Sequence, residues 1–150
     1  MRCTDPGAGS AVTSDSNQRL PMSDLHTHRV KVYYEDTDLS GAVYHANYLK
    51  FFERAREHFI GPEVLASLWE DRGIGFVVYE ANLTFKKSAG LADDLEVRTR
   101  AERQSDYRAL FEQTVHHVGQ DSALVEGDID IVCVGESGDL VELPGVIDWS

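Results

Sequence analysis

The stretch Tyr33-Tyr34-Glu35-Asp36-Thr37-Asp38-Leu39-Ser40-Gly41-Ala42-Val43-Tyr44-His45-Ala46-Asn47-Tyr48 runs directly into Leu49-Lys50-Phe51-Phe52-Glu53-Arg54-Ala55-Arg56-Glu57-His58-Phe59-Ile60, and its reading decides the fold. It divides into three parts. An alternating strand closes at Glu35, a tight acidic loop holds Asp36, Asp38 and Gly41, and an aromatic-rich helix begins near Ala46 or Asn47. The first turn of a helix leaves backbone N–H groups without intrahelical partners, and the helix dipole adds positive potential there. A carboxylate facing such donors suits acyl transfer: the amides polarise a carbonyl and hold the developing oxyanion, while the carboxylate attacks or activates water. Asp and Asn before a helix are also ordinary caps, and the local pattern alone does not separate the two readings.

Upstream, Val30, Val32 and Tyr34 alternate with Arg29, Lys31 and Tyr33, the period of a half-buried first strand. Downstream, Tyr48, Leu49, Phe51, Phe52, Ala55, Phe59 and Ile60 give the helix an apolar surface wider than one stripe. Such a helix wants contact on more than one side, as when a sheet wraps around it. Glu53 meets Arg56 at i, i+3 and Arg54 meets His58 at i, i+4. Gly61-Pro62 breaks the helix and starts a shorter one with Val64, Leu65, Leu68 and Trp69, ended by Gly73.

The remainder turns to strands. Ile74 to Lys87 reads as a long strand with a bulge near Asn82, and Ala92-Asp93-Asp94 as a turn. Leu95 to Arg103, Tyr107 to His117 and Ala123 to Val134 follow, separated by short polar reversals. After Gly135 only Leu140-Val141 resembles a strand end. Strand, long helix, short helix, then four strands in hairpin succession describe an α+β chain, with an antiparallel sheet of about five strands around one long central helix.

The run from Tyr33 to Arg56 closely resembles the 4-hydroxybenzoyl-CoA thioesterase-like family of hotdog-fold proteins. Its nearest likeness there is to the acyl-CoA thioesterases associated with the bacterial Tol–Pal system. The resemblance covers about Thr27 to Val134 and implies the hotdog fold, an acyl-CoA substrate, hydrolysis to free acid and CoA, and a homodimer or homotetramer. It maps the catalytic carboxylate onto Asp38, the second acid of the Asp-x-Asp pair, and leaves Asp36 as an acceptor that fixes the loop. It gives His45 a catalytic or orienting role, makes its N–H a candidate oxyanion donor, and sets Tyr34 near the site. Gly41, Tyr44 and Asn47 become candidate substrate-binding neighbours. Each also has a plain structural reading: Gly41 as a turn, Tyr44 and Asn47 as core or cap, His45 as a surface or capping imidazole, Tyr34 as strand packing. The rival function on the same fold is a catalytically silent protein that binds acyl groups or serves as an assembly partner.

Composition bounds these readings. A chain of 150 residues with 42% hydrophobic content holds one domain with a proper core. Residues 1–24, rich in Gly, Ser, Thr, Asp and Pro, read as a disordered extension, and 25–150 as the hotdog domain. No apolar run reaches the roughly 18 residues of a membrane span. Two cysteines, Cys3 and Cys133, fit free thiols in a cytoplasmic setting. A net charge of −12 argues against nucleic acid as a partner, and it obliges any enzyme acting on anionic CoA to gather local basic residues. Lys86, Lys87, Arg98, Arg100, Arg103 and Arg108 are the candidates, although the reversal at Gln104-Ser105-Asp106 lacks the basic residues frequent there in the resembled family. His26-Thr27-His28 reads as a solvated start to the first strand rather than a metal pair, and the side chains of His116 and His117 diverge on a strand. No metal or other cofactor is expected. A Gly-x-Ser-x-Gly elbow is absent, which removes the serine-hydrolase reading.

Overall fold

The structure, a computed structural model, describes residues 25–149. The expectation of a disordered extension over residues 1–24, and Cys3 with it, lies outside the described residues. Strand β1 (His26–Lys31) leads through a single 3-10 turn (Tyr34–Asp36) to helix α1 (Asn47–Ile60) and helix α2 (Pro62–Arg72). Strands β2 (Gly75–Phe85), β3 (Asp94–Arg103), β4 (Arg108–His117), β5 (Val125–Val134) and the short β6 (Leu140–Val141) complete the chain. Five long strands stand in the order β1-β3-β4-β5-β2, all antiparallel, and β6 extends the sheet by pairing with the end of β5. β1 and β2 flank the helices in sequence yet occupy opposite edges of the sheet. The sheet curls around α1 as the sequence reading and the resemblance both lead one to expect.

The core lies between α1 and the concave face. Phe51, Phe52 and Ala55 of the helix are fully buried with Leu95, Val97, Phe111, Val115, Val125 and Ile129 of the sheet. Burying such side chains contributes about 1.5–3 kcal/mol each for the larger ones. Gly127 shows how close the helix approaches: a Cβ there would stand 2.6 Å from Cε2 of Phe52, so the phenyl ring occupies the space of a side chain on β5. A buried polar knot crosses the same interface. Gln113 of β4 donates from Nε2 to the Phe52 carbonyl and to Thr99 Oγ1, both at 3.0 Å, and its Oε1 accepts from Arg56 Nη1 at 3.0 Å. Arg56, only 6% exposed, also pairs with Glu53, so the buried guanidinium is not left uncompensated.

Several expectations are corrected. Val30 and Val32 are buried as the alternation predicts, but Tyr34 is 82% exposed. The chain leaves the strand at Lys31 and tightens into the 3-10 turn, because the Asp36 carboxylate draws in the Tyr33 amide. The bulge falls between Val78 and Glu80 rather than near Asn82. His26 and His28 are half-buried, not solvated: His28 stacks on His58 with ring centroids 4.2 Å apart, and His26 meets Phe59 edge-on at 5.8 Å. The segment after Gly135 carries more than a strand end, since Leu143, Pro144, Ile147 and Trp149 are buried against the core. His116 and His117 do diverge, the first toward Thr114 Oγ1 and the second toward Asp93 Oδ2, each at 2.9 Å. Cys133 is a buried free thiol whose pKa burial pushes up to about 12. Among the described residues no helix is long and apolar enough to cross a membrane.

Candidate active site

The loop between the 3-10 turn and α1 is built on Asp36. This side chain is 4% exposed, and both of its oxygens are engaged: Oδ2 accepts the Tyr33 amide and Oδ1 accepts Asn47 Nδ2, each at 2.8 Å. Its carbonyl accepts the Tyr44 amide at 2.9 Å. Three bonds from one residue therefore tie the strand exit, the far arm of the loop and the first turn of the helix. Asp36 is the loop-fixing acceptor.

Above this base the chain makes a tight reversal. Thr37 bridges Val43, the Asp38 amide meets the Ala42 carbonyl at 2.8 Å, and the Gly41 amide meets the Asp38 carbonyl at 3.0 Å. Gly41 has φ +86° with open space where a Cβ would stand, so the turn itself accounts for it. Leu39 sits fully exposed at the tip. Asp38 is exposed too. Its Oδ1 accepts the Ser40 hydroxyl at 2.7 Å, the Ser40 amide at 2.8 Å and the Ala42 amide at 3.3 Å, while no described group donates to Oδ2. The Ser40 hydroxyl, and then its amide, hold the Asp38 carboxyl below the ordinary carboxylate range. The result is an ionised carboxylate with one oxygen fixed and one turned outward.

At the start of α1 four amides bear on the expected oxyanion site, and two of them are already spent. Tyr44 donates to the Asp36 carbonyl and Asn47 to the Tyr44 carbonyl at 2.8 Å. The amides of His45 and Ala46 donate to no described group, and Ala46, as the residue capping the helix, offers no side-chain acceptor. The His45 ring is exposed and rests between Tyr44 at 4.6 Å and Phe85 of β2 at 6.0 Å. Tyr48, buried beneath, accepts the Ala89 amide on its hydroxyl at 3.3 Å. Thus Gly41, Tyr44 and Asn47 frame the loop that carries Asp38 and His45. The Tyr34 ring stands apart, with no described contact to either.

Five of the six basic candidates are already paired. Lys86 meets Glu126 at 3.2 Å, Arg98 meets Glu96 at 2.8 Å, Arg103 meets Asp106 at 3.2 Å, Arg108 meets Asp130 at 3.3 Å, and Arg100 pairs with Glu112. Lys87 enters no ion pair among the described residues, and it lies two positions before Ala89, whose carbonyl accepts the Val43 amide at 2.9 Å. The free cation is thus beside the loop. No group of three or more potential metal ligands occurs among the described residues.

A sequence profile of the thioesterase-like superfamily matches residues 32–148, nearly the whole described chain. The chain belongs to the thioesterase-like superfamily. It is 35% identical over 107 residues to the acyl-CoA thioester hydrolase YbgC of Escherichia coli, covering 70% of this chain and 78% of that one. It is 36% identical over 107 residues to the acyl-CoA thioesterase YbgC of Haemophilus influenzae, covering 70% and 77%. The crystal structure of a probable thioesterase from Bartonella henselae superposes with a TM-score of 0.73 at 36% identity, over 80% of this chain and 99% of that one. The fold is the hotdog fold and the chain is a thioester hydrolase of that superfamily. The sequence reading missed the knot of Arg56, Gln113 and Thr99 and the packing of Trp149; it did include Lys87, but only as one of six basic residues.

Proposed function

We propose that this protein hydrolyses acyl-CoA thioesters with Asp38 as its catalytic carboxylate. The observation that carries the reading is the pairing of an exposed, ionised Asp38 with a helix start whose His45 and Ala46 amides have no internal acceptor. In this account the thioester carbonyl lies over the first turn of α1 and accepts from those two amides, which stabilise the negative charge on its oxygen as the carbonyl carbon is attacked. Oδ2 of Asp38, to which no described group donates, attacks the carbonyl carbon directly. Attack breaks the C–S bond, CoA leaves as a thiolate that takes a proton from water, and the mixed anhydride on Asp38 is then hydrolysed to free acid. The His45 imidazole orients the acyl group or the second water, with Gly41, Tyr44 and Asn47 shaping the wall and Tyr34 at its edge. Lys87 meets a CoA phosphate. No resident metal or redox group is needed for this chemistry. The two cysteines fit a cytoplasmic enzyme, where acyl-CoA is present.

The site is completed by a second copy of the chain, in a dimer or a pair of dimers. Leu39, next to Asp38, is exposed, as is Tyr34, and the unpaired edge of β2 exposes Val77, Val78, Tyr79 and Phe85. An open apolar edge strand of this length invites pairing. Light scattering at micromolar concentration should give a dimer or larger, and a monomer would overturn the assembly. For the chemistry, purified protein should release CoA from acyl-CoA, and Asp38→Asn should lower turnover by roughly 100-fold or more. An Asp38→Asn protein that keeps most of its turnover would overturn Asp38 as the catalytic carboxylate. Only a purified protein that releases no CoA from any acyl-CoA would make the silent acyl-binding protein the better account.

A further inference from the structure

The start of α1 meets the end of β2, and the end of α1 shares a cavity with the start of β2. At the start of α1 the rings of His45 and Tyr48 each come within 6.0 Å of Phe85, the last residue of β2. At the other end a cavity of about 50 Å³ opens between Ile60 and Leu65 of the helices and Phe76 of β2, over Phe111 and Ile131 of the sheet, with Arg56 on its wall. Arg56 is compensated by Glu53 and Gln113, and Glu57 also lines the cavity at the helix side, while the sheet side is apolar. A volume of this size holds about four methylene-sized groups. Glu53, the first helix residue to line it, stands six residues beyond Asn47, about 9 Å along the axis. An acyl chain laid from the candidate oxyanion site along α1 would end in this cavity.

The cavity is backed by Trp149 of the C-terminal segment. Trp149 meets Phe76 at 6.3 Å and Phe111 at 6.1 Å, both near edge-on, and these are the two aromatic rings that line the cavity. The indole is 6% exposed and its N–H donates to the Pro144 carbonyl at 3.2 Å. The segment is held in turn by the Leu143 amide, which donates to the Asp106 carbonyl at 2.8 Å. Phe76 and Phe111 cannot retreat from a ligand without displacing a locked indole.

We propose that Trp149 is a specificity-determining residue: it backs the blind end of the acyl cleft and restricts the enzyme to acyl groups of short to medium length. This rests on the reading of the protein as an acyl-CoA hydrolase. Each methylene that gains burial strengthens transition-state binding by about fourfold, and a chain that meets the aromatic wall gains nothing further and must displace it. The test is kcat/KM across straight-chain acyl-CoAs from acetyl to palmitoyl, for wild type, Trp149→Ala and Trp149→Phe, with folding checked by thermal melting. Wild type should show a sharp upper limit of length. Trp149→Ala should move that limit to longer chains, raising the first rejected substrate relative to the preferred one by about fourfold for each methylene newly accommodated. Trp149→Phe should move it less. The length ratio cancels any general loss of activity, and the phenyl variant, which keeps an aromatic ring in the core, decides the matter if the alanine variant does not fold. An unchanged limit in the folded variants, or a wild-type enzyme indifferent to length, overturns the proposal while leaving the hydrolase reading intact. A wild type that hydrolyses none of these acyl-CoAs removes that reading and this inference with it.

Discussion

Asp36 and Asp38 stand two residues apart in one loop, carry the same functional group, and do opposite work. Asp36 is buried with both oxygens engaged, and every bond it makes joins one part of the backbone frame to another. Asp38 is exposed, uses one oxygen to hold its own turn, and leaves the other toward solvent. The difference is one of partners. A carboxylate whose acceptor sites are filled by buried donors is part of the framework, whereas one fixed on a single side is available to react. The chain achieves both by ending the 3-10 turn at Asp36 and bridging Thr37, the residue between the two acids, to Val43.

The sharpest way to break this comparison is to substitute each acid and read two quantities. Asp38→Asn keeps an acceptor for Ser40 but removes the anion, so turnover should drop roughly 100-fold or more. Its thermal midpoint should stay at the wild-type value, since an exposed side chain is exchanged for one of the same shape. A large fall in midpoint would mean that Asp38 belongs to the framework as well.

Asp36→Ala should give the reverse signature. It leaves the Tyr33 amide and Asn47 Nδ2 without their acceptor, and an unmet buried donor costs about 1–3 kcal/mol. Equilibrium urea unfolding should show a loss of that order, with any fall in turnover smaller than for Asp38→Asn in the folded protein. If Asp36→Ala is as stable as wild type and Asp38→Asn is not, the two roles are exchanged.

Much of this was legible in the sequence because it is written locally. Alternation, the Gly61-Pro62 break and short polar reversals mark the elements, and the Asp-x-Asp loop before an aromatic helix points to the candidate site through the family resemblance it carries. What the sequence did not disclose depends on contacts between distant segments. Thr99 and Gln113 are register partners across β3 and β4, and only that pairing brings Gln113 under the carbonyl of Phe52. Trp149 follows a two-residue strand and a stretch with no hydrophobic period, so its burial is decided by Phe76 and Phe111 rather than by its neighbours. Tyr34 departs from the strand alternation because a buried carboxylate two residues later tightens the chain. The inward turn of His26 and His28 did have a signal, for both share strand parity with buried Val30.

The smallest effect concerns pH, and it sets the loop end of α1 against its opposite end. His26 and His28 face α1, where His58 stacks on His28 and Phe59 covers His26. Burial lowers the pKa of both imidazoles, with repulsion from His58 adding to it; at His28 the charges of His26 and Arg54 lower it further while Glu57 opposes. His26 Nδ1 also has no hydrogen-bond partner, so a proton there would find no acceptor. The unfolded chain takes up these protons near pH 6.5, while the folded chain takes them only at lower pH. Stability from this pair is therefore fully present above pH 6.5, falls as pH drops through 6.5, and levels once the folded pKa values are passed. His116, lowered by burial and by Arg98, adds a term of the same sign elsewhere in the sheet. Urea midpoints measured from pH 8 to pH 5 should decline below 6.5, and His26→Gln with His28→Phe should flatten the curve to the share left by His116. The acid limb of activity in the folded enzyme should lie lower still, below the ordinary carboxylate range, because Ser40 holds the Asp38 carboxyl down. A double variant with the wild-type slope would mean that the imidazoles at this end of the helix do not couple protonation to folding.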